Sequence, residues 1–274
     1  MPPAAYAARQ PPSEEAKKPV TVLVTGFGPF LDKVPNNPSW GIASRLPALI
    51  PASPADPTPI HIHVHHEAIR VAYQPVVDLV PRLLPPNNPM YPSPNIILHI
   101  GLAAGRDHYA AEEGAWGRNY AKIPDVDGEG FPDDAMEKLF PTKQFPVRIC
   151  TSFDTSDVLT RWRANLNSNS CATTPDVRIS QDPGNFLCGF IYYNSLAHYY
   201  SLNHDERPVM FLHVPDISRS EDEMKTGLDV TLALIKALVQ SYQEVGVLRG
   251  ERNGPMSVEQ VPLRGEVDNN FSTR

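Results

Sequence analysis

Residues 177–200 read VRISQDPGNFLCGFIYYNSLAHYY. The stretch opens as a short strand-like run, and Asp182, Pro183 and Gly184 then interrupt the chain. After this break, apolar and aromatic residues recur at spacings of three and four, the period of a helix. They are Phe186, Phe190, Tyr193, Ala197 and Tyr200. The stretch therefore predicts a strand, a polar turn and an amphipathic helix in direct succession.

Cys188 falls in the first turn of this predicted helix. Backbone N–H groups without intrahelical partners point towards such a position, and the helix dipole is positive there. A thiol in that field should lose its proton more easily, and the thiolate is the nucleophilic form. A free cysteine is also commonly a small buried apolar residue. Position alone leaves both interpretations open.

Strand-like and helical runs alternate on both sides of this stretch. The strand-like runs are residues 20–25, 61–67, 95–100, 147–151 and 208–214. The helical runs are residues 38–46, 73–84, 155–165 and 221–242, with Asn37 and Ser220 as N-caps of the first and last. This alternation predicts a three-layer α/β/α fold with a mostly parallel, twisted sheet of the phosphorylase/hydrolase-like type.

The predicted domain covers residues 19–245 as a single α/β unit with Pro-rich loop insertions. Residues 1–18 are rich in Ala and Pro and are expected to form a disordered leader, and residues 246–274 a polar C-terminal tail. Residues 102–141 are Gly- and Asp-rich and predict a long irregular loop, which in a compact domain is usually functional. Residues 165–174 predict a polar surface excursion.

Composition argues against several classes of partner. The net charge of −7 disfavours nucleic acid and anionic membrane surfaces. No apolar run approaches a membrane span, and the N-terminus lacks the apolar core of a signal peptide. The three cysteines are therefore expected as free thiols in a reducing compartment, the cytoplasm. Oligomeric state cannot be predicted from these features.

Several chemically active residues lie at or just past the ends of the predicted strands. In open α/β sheets, sites form beyond the carboxyl ends of the strands, where Gly101 and His213 also lie. A cysteine nucleophile needs a base and an orienting group, and His213 and the pair Glu112–Glu113 are candidates. The alternative interpretations are a structural histidine at a strand end, with its hydrogen bonds made locally, and a solvent-exposed pair of glutamates.

Four ordered motifs resemble the pyroglutamyl peptidase I family, cysteine peptidases that remove an N-terminal pyroglutamate. They are TGFGPF at 25–30 followed by NPSW at 37–40, HIGLA at 99–103, SQDPGNFLC at 180–188 and LHVP at 212–215. The resemblance spans roughly residues 20–242. It implies peptides with N-terminal pyroglutamate as the substrates, and no cofactor.

The resemblance also implies roles for individual residues. Cys188 would attack the pyroglutamyl carbonyl, and His213 would take the thiol proton and later protonate the leaving amine. The family's glutamate lies eleven positions after the glycine equivalent to Gly101, which points to Glu112, with Glu113 as a shifted alternative. Glu112 would hold the imidazole in its working tautomer.

The substrate-binding residues are predicted from the family and from the chemistry of the lactam. A pyroglutamyl residue ends in a flat lactam with apolar faces, one N–H and one carbonyl. Phe27 and Phe30 suit the walls of its pocket, and the resemblance places them there. Asn37 would either fix the loop or bond the lactam.

Three positions depart from the family pattern. Pro183 replaces the usual Ala, Gly189 replaces Asn, and Lys122 replaces an Arg implicated in the oxyanion site. Two alternative functions therefore stay open at this point: a cysteine hydrolase with altered acyl specificity, and a degenerate member that acts as a binding protein.

No metal site is expected from the sequence. His61, His63 and His65 alternate along one predicted strand, but no strong metal-ligand spacing accompanies them. Cys150 and Cys171 lack the turn-to-helix setting of Cys188 and are not expected to take part in catalysis.

Overall fold

The computed structural model describes residues 17–30, 34–54, 56–89, 92–167 and 174–247. Nine strands are defined within these ranges: β1 Val20–Gly26, β2 Leu49–Ile50, β3 Ile60–Val64, β4 Ile96–Leu102, β5 Tyr109–Glu112, β6 Gly114–Trp116, β7 Arg148–Cys150, β8 Val177–Ser180 and β9 Val209–Val214. The helices defined there are α1 Pro38–Ala43, α2 Tyr73–Leu83, α3 Asp133–Leu139, α4 Thr155–Asn167, α5 Leu187–Leu202 and α6 Glu221–Glu244.

Seven of these strands form one mixed sheet in the order β2-β3-β1-β4-β9-β5-β8. Strands β3, β1, β4 and β9 run parallel to one another, whereas β2 and β5 pair antiparallel to their neighbours β3 and β9. Strand β8 is parallel to β5. The predicted α/β fold with a mostly parallel sheet is therefore confirmed.

Helices cover both faces of the sheet, because successive strand residues point to opposite faces and both sets are apolar. Val24, Leu98 and Leu212 belong to one core cluster, which also contains residues of α1, α4 and α6. Leu23, Ile97 and Phe211 belong to the other cluster, with residues of α2 and α5. The second face carries the cysteine helix.

The predicted helix starts agree with the observed caps. Asn37 caps α1 with Pro38 at its first position, and its side chain accepts from the Ser39 N–H. The Ser220 side chain accepts from the Glu223 N–H at the start of α6. Helix α1 ends at Ala43, earlier than the predicted residue 46, because the chain turns at 44–46. Strand β3 likewise ends at Val64, not at residue 67.

The prediction that residues 102–141 form an irregular loop was wrong. This segment contains β5, β6 and α3. Strand β5 is only four residues long, and its hydrogen-bonding partners β8 and β9 lie far along the chain. A pattern so short carries no readable period, so the strand forms through pairing with distant segments.

The expected leader at 1–18 and the expected tail at 246–274 lie almost entirely outside the described residues, as does most of the predicted excursion at 165–174. The predicted single domain at 19–245 stays a prediction.

Candidate active site

Cys188 is the second residue of α5, as the turn-to-helix pattern predicts. Phe186 is the N-cap of the helix and has an extended backbone. Gly184, just before it, has a positive φ of 75°, which favours glycine at this turn. The first N–H groups of α5 therefore lie beside the thiol without intrahelical partners.

The thiol of Cys188 lies over the backbone of Gly101 in β4. A Cβ atom on Gly101 would lie 2.8 Å from Cys188 Sγ and 2.6 Å from the Phe211 ring. In the parallel pair β4–β9, Gly101 is the direct partner of His213. Paired residues on neighbouring strands point to the same face, so the His213 imidazole lies next to the space that the thiol occupies.

Glu112 completes this cluster from β5. Its Oε1 lies 2.8 Å from His213 Nδ1, and both side chains are almost fully buried. Glu113 instead pairs with Arg148, at 3.2 Å, on the other side of the strand. The alternative that the sequence left open between the two glutamates is thereby resolved geometrically: Glu112, not Glu113, contacts the histidine.

Burial and neighbouring charges act in opposite directions on Glu112. Burial alone would raise its pKa, but the hydrogen bond from His213 and the charges of His213 and Arg106 outweigh it. The pKa of Glu112 therefore lies below its usual value, and the side chain is a carboxylate at neutral pH. Its bond to Nδ1 leaves His213 Nε2 as the nitrogen available to a second group.

Burial outweighs the lowering of the Cys188 thiol pKa that its position at the helix start predicts. Removal from water raises the pKa of Cys188 to about 12, the Glu112 carboxylate adds to the rise, and Arg106 opposes it. The thiol is therefore neutral at physiological pH, and forming the thiolate requires a base.

Arg106 is the functional residue that sequence reasoning missed. Its Nη1 donates to Glu112 Oε1 at 2.7 Å, and its Nη2 donates to the main-chain oxygen of Asp182 at 3.0 Å. The signal was available, because Arg106 is the one Lys or Arg between Gly101 and Glu112.

Several aromatic residues belong to the core cluster against which the thiol packs. Phe30 and Phe186 have ring centroids 5.1 Å apart, and Tyr73 lies 6.0 Å from Phe186. Phe27, Phe30 and Tyr73 are buried in the core cluster against which Cys188 packs. The predicted role of Phe27 and Phe30 as pocket walls stays a prediction, and Tyr73 and Phe186 join them as candidates.

Asn37 holds the loop that carries these phenylalanines. Its Oδ1 accepts from the Ser39 N–H at 3.1 Å, and its Nδ2 donates to the carbonyl of Gly28 at 3.0 Å. These bonds support the loop-fixing role that the sequence left open. A direct bond from Asn37 to a lactam stays a prediction.

Lys122 lies exposed in the loop before α3. Within the described ranges its side chain makes no hydrogen bond or ion pair, so its predicted oxyanion role stays a prediction. Asp125 anchors this loop by accepting from the N–H of Tyr73 at the start of α2, at 2.9 Å.

The three histidines predicted to lie along one strand do not all lie in it. His61 and His63 lie within β3, whereas His65 follows it and groups with His66 and Glu67. The ligand atoms of these last three residues lie within 4.8 Å of one another, mostly exposed. Of the other cysteines, Cys150 is buried and its sulfur accepts a hydrogen bond from Arg148, and Cys171 lies outside the described residues.

No helix among the described residues combines the length and the apolar character that crossing a bilayer requires.

Comparison with known proteins finds pyroglutamyl peptidases to be similar to this chain. The family model described as pyroglutamyl peptidase matches residues 20–152. The chain is 29% identical to the pyrrolidone-carboxylate peptidase of Deinococcus radiodurans over 71% of its own length and 78% of that protein. It is 26% identical to human pyroglutamyl-peptidase 1 over 75% of its length and 84% of the human protein.

Solved structures share the fold. The pyrrolidone carboxyl peptidase of Pyrococcus furiosus superposes with a TM-score of 0.59 at 22% identity, covering 82% of this chain and 100% of that one. Pyroglutamyl peptidase I of Bacillus amyloliquefaciens gives a TM-score of 0.58 at 21% identity, covering 80% and 97%. In both sequence and fold, the chain is therefore similar to pyroglutamyl peptidases.

Proposed function

We propose that this chain is a cysteine peptidase that hydrolyses the bond after an N-terminal pyroglutamyl residue. The observation that carries the proposal is the buried Glu112–His213 pair next to the thiol of Cys188. The names of the relatives supply the substrate class, since they are called pyroglutamyl and pyrrolidone-carboxylate peptidases. Peptides with N-terminal pyroglutamate are the proposed substrates.

The first step forms a thioester. His213 Nε2 accepts the proton of the neutral Cys188 thiol while Sγ attacks the pyroglutamyl carbonyl, and the carbonyl oxygen becomes an oxyanion. The free N–H groups at the start of α5 can donate to that oxyanion. His213 then returns its proton to the leaving amine as the C–N bond breaks.

The second step releases the acid. Water loses a proton to His213 and attacks the thioester carbonyl, and the C–S bond breaks as Sγ recovers a proton from the imidazolium. The products are free pyroglutamate and the shortened peptide. Glu112 accepts the Nδ1 hydrogen bond throughout, which keeps Nε2 facing the reaction and stabilises the imidazolium.

The aromatic surroundings favour a lactam over a charged N-terminus. Phe30, Tyr73 and Phe186 offer apolar surfaces to the flat ring, whereas a free α-ammonium would lose its hydration among them. The thiol needs a reducing environment, and we propose the cytoplasm.

The test uses a pyroglutamyl amide of an aminocoumarin, with the prolyl amide of the same amine as matched control. Proline has the same ring size but a secondary ammonium in place of the lactam. We expect fluorescence from the first compound only. Failure of the parent protein to release the amine from the pyroglutamyl compound would contradict the proposed function.

Cys188→Ser should abolish this turnover while the fold is retained, because the change is nearly isosteric. An alcohol has a far higher pKa than a thiol, so His213 cannot generate the nucleophile at a useful rate. Circular dichroism checks the fold, and Cys150→Ser and Cys171→Ser are the controls. Retained activity in Cys188→Ser, with loss in either control, would overturn the assignment of the nucleophile.

Dialysis against a chelator should leave turnover unchanged, whereas a thiol alkylator should stop it, because thiol and imidazole supply both nucleophile and base. If zinc were needed to restore activity, the group of His65, His66 and Glu67 would become the leading candidate for a metal site.

A further inference from the structure

Arg106 joins two parts of the site that come from different segments of the chain. It lies in the loop after β4, and its side chain is 12% exposed. One end of its guanidinium donates to the Glu112 carboxylate, and the other donates to the carbonyl of Asp182 in the turn before Cys188. A planar guanidinium can serve two acceptors at a fixed angle, which an ammonium cannot do.

The Glu112 carboxylate needs a permanent counter-ion. It is fully buried, and its Oε1 accepts from both His213 and Arg106. Its Oε2 has no hydrogen-bond partner among the residues that the structure describes. His213 gains and loses a proton during catalysis, so its charge is intermittent. Arg106 stays charged throughout, and an unpaired buried carboxylate would be strongly unfavourable.

The turn before Cys188 is held at several points. Asp182 Oδ1 accepts from the Gly184 N–H at 2.9 Å, and the Asp182 N–H donates to Ser180 Oγ at 3.3 Å. Ser180 is the β-ladder partner of Glu112, so these bonds connect the start of the turn to the strand that carries Glu112. The Arg106 bond to the Asp182 carbonyl adds a link from the turn to the Glu112 side chain itself, six residues before the nucleophile.

We propose that Arg106 is a positioning residue that keeps Glu112 ionised and ties the nucleophile turn to it. Thiol, imidazole and carboxylate thereby keep their relative positions while the charge of His213 changes. The proposal deepens the proposed function and rests on it, but its test below measures the thiol directly and needs no peptide substrate.

The other groups around Glu112 limit what else could produce the same effect. His213 faces it from β9, Cys188 and Tyr192 from α5, and Ser180 from β8. On its outer side Arg106 borders a cleft of about 380 Å³, whose other titratable groups are Asp107, Tyr109, Asp176, Asp216, Arg219 and Glu223. Arg106 is the only cation of these that bonds Glu112 within the described ranges, apart from protonated His213.

The experiment measures the rate of Cys188 alkylation by iodoacetamide as a function of pH, with the modified cysteine identified by peptide mass spectrometry. Arg106→Ala should lower the rate at neutral pH by about tenfold or more, as expected for the loss of a charge-assisted hydrogen bond. In this variant, the acidic limb of the curve of alkylation rate against pH should move to higher pH, because Glu112 without Arg106 takes up a proton more readily. Arg106→Lys keeps the charge but loses the planar group that serves two acceptors. It should therefore give a smaller loss of alkylation rate, with the acidic limb of the profile close to that of the parent.

Two controls separate positioning from general damage. Arg178→Ala removes an exposed arginine that pairs with Asp176, and should leave the alkylation profile unchanged. Millimolar ethylguanidinium can enter through the cleft beside Arg106, so it should partly restore the rate in Arg106→Ala and have no effect on Arg178→Ala. Near-ultraviolet circular dichroism checks the fold of each variant.

A parental rate and pH profile in Arg106→Ala would overturn the proposal. So would a slow Arg106→Ala with an unmoved acidic limb and no rescue, because that pattern indicates a structural role only. If Arg106→Ala does not fold, the test rests on Arg106→Lys. A parental alkylation rate in that variant would contradict the need for a guanidinium that serves two acceptors. The proposed peptidase function is tested separately, by the release of aminocoumarin from its pyroglutamyl amide.

Discussion

Gly101 has no side chain at the point where the thiol of Cys188 meets the sheet. The ring of Phe211 and the sulfur both lie within 3 Å of the position that a Cβ atom would take. One of them would have to move if any other residue stood there. Glycine is thus required here by close approach and not by an unusual backbone angle, and the closeness of thiol and histidine depends on it.

Gly101→Ala should therefore lower kcat by about a hundredfold, since a displacement of the thiol by an ångström or less disturbs its alignment with His213. Overpacking should also reduce the free energy of unfolding by about 1–3 kcal/mol. Steady-state kinetics and urea unfolding measure the two effects. Gly41→Ala is the matched control, because its new methyl would meet only the flexible end of Met224, 3.1 Å away. Parental turnover in Gly101→Ala would contradict this geometry.

Lys122 is exposed, and the oxyanion role predicted for it stays a prediction. If that role is correct, Lys122→Ala should lower kcat strongly with a smaller effect on KM, because the interaction strengthens in the transition state. Loss of one oxyanion donor typically reduces transition-state stabilisation by about 2.7–4 kcal/mol.

Lys122→Arg provides the matched variant, and it should equal or exceed the parent because the planar guanidinium can contact several acceptors. Steady-state kinetics on both variants settle the matter. Turnover of Lys122→Ala at the parental rate would show that the ammonium has no part in the oxyanion site.

Helix α5 is the element that carries the nucleophile, and two features set its position on the sheet. At its start, Gly189 packs directly under the turn, where a Cβ atom would lie 2.1 Å from the carbonyl oxygen of Gly184. Two turns after Cys188, the Ser195 hydroxyl lies 2.9 Å from Nε2 of the buried His99 in β4. His99 Nδ1 is in turn 2.7 Å from the Thr25 hydroxyl in β1. This chain of hydrogen bonds fixes the helix along β4, where Gly101 receives the thiol.

Gly189→Ala should destabilise the protein, although the same change in an ordinary helix interior stabilises it by up to ~1 kcal/mol. The Gly184 carbonyl would have to move, at an expected loss of about 1–3 kcal/mol, and the nucleophile turn would move with it. Gly189→Asn should behave in the same way, even though the family usually has Asn at this position. Urea unfolding and kcat are the measurements, with Gly41→Ala as the helix-glycine control. A variant as stable and active as the parent would show that the turn accommodates the side chain.

At the scale of the whole molecule, the buried His99 links folding to pH. Burial lowers its pKa from 6.5 to about 3, so it is neutral in the folded protein across the physiological range. In the unfolded chain it takes up a proton near pH 6.5. Below that pH the unfolded state binds more protons than the folded state, so stability falls as pH falls.

The parent should therefore lose about 1.4 kcal/mol of unfolding free energy per pH unit from this residue between about pH 6 and 3. His99→Gln keeps a polar side chain without titrating, and should show a shallower loss over that range, although its stability at pH 7.5 should be lower. Urea unfolding at a series of pH values compares the two slopes. Equal slopes in parent and variant would exclude His99 as the source.

Local patterns in the sequence determined the main elements and the order of the motifs. The β-branched run of β1, the Asn37 and Ser220 caps and the turn before α5 are each encoded by neighbouring residues, and each was predicted at its place. The resemblance to the pyroglutamyl peptidases followed from four short motifs. Such features can be read from the sequence because the interactions that produce them lie within a few residues.

The tertiary structure alone decided how these elements meet. Strand β5 exists through its pairing with β8 and β9, and this pairing directs Glu112 to His213 and Glu113 to Arg148. The reach of Arg106 to Asp182 and the raised pKa of the Cys188 thiol also depend on contacts between distant segments. Burial and charge proximity between residues some 70 to 100 positions apart are properties of the folded chain, so no local sequence pattern encodes them.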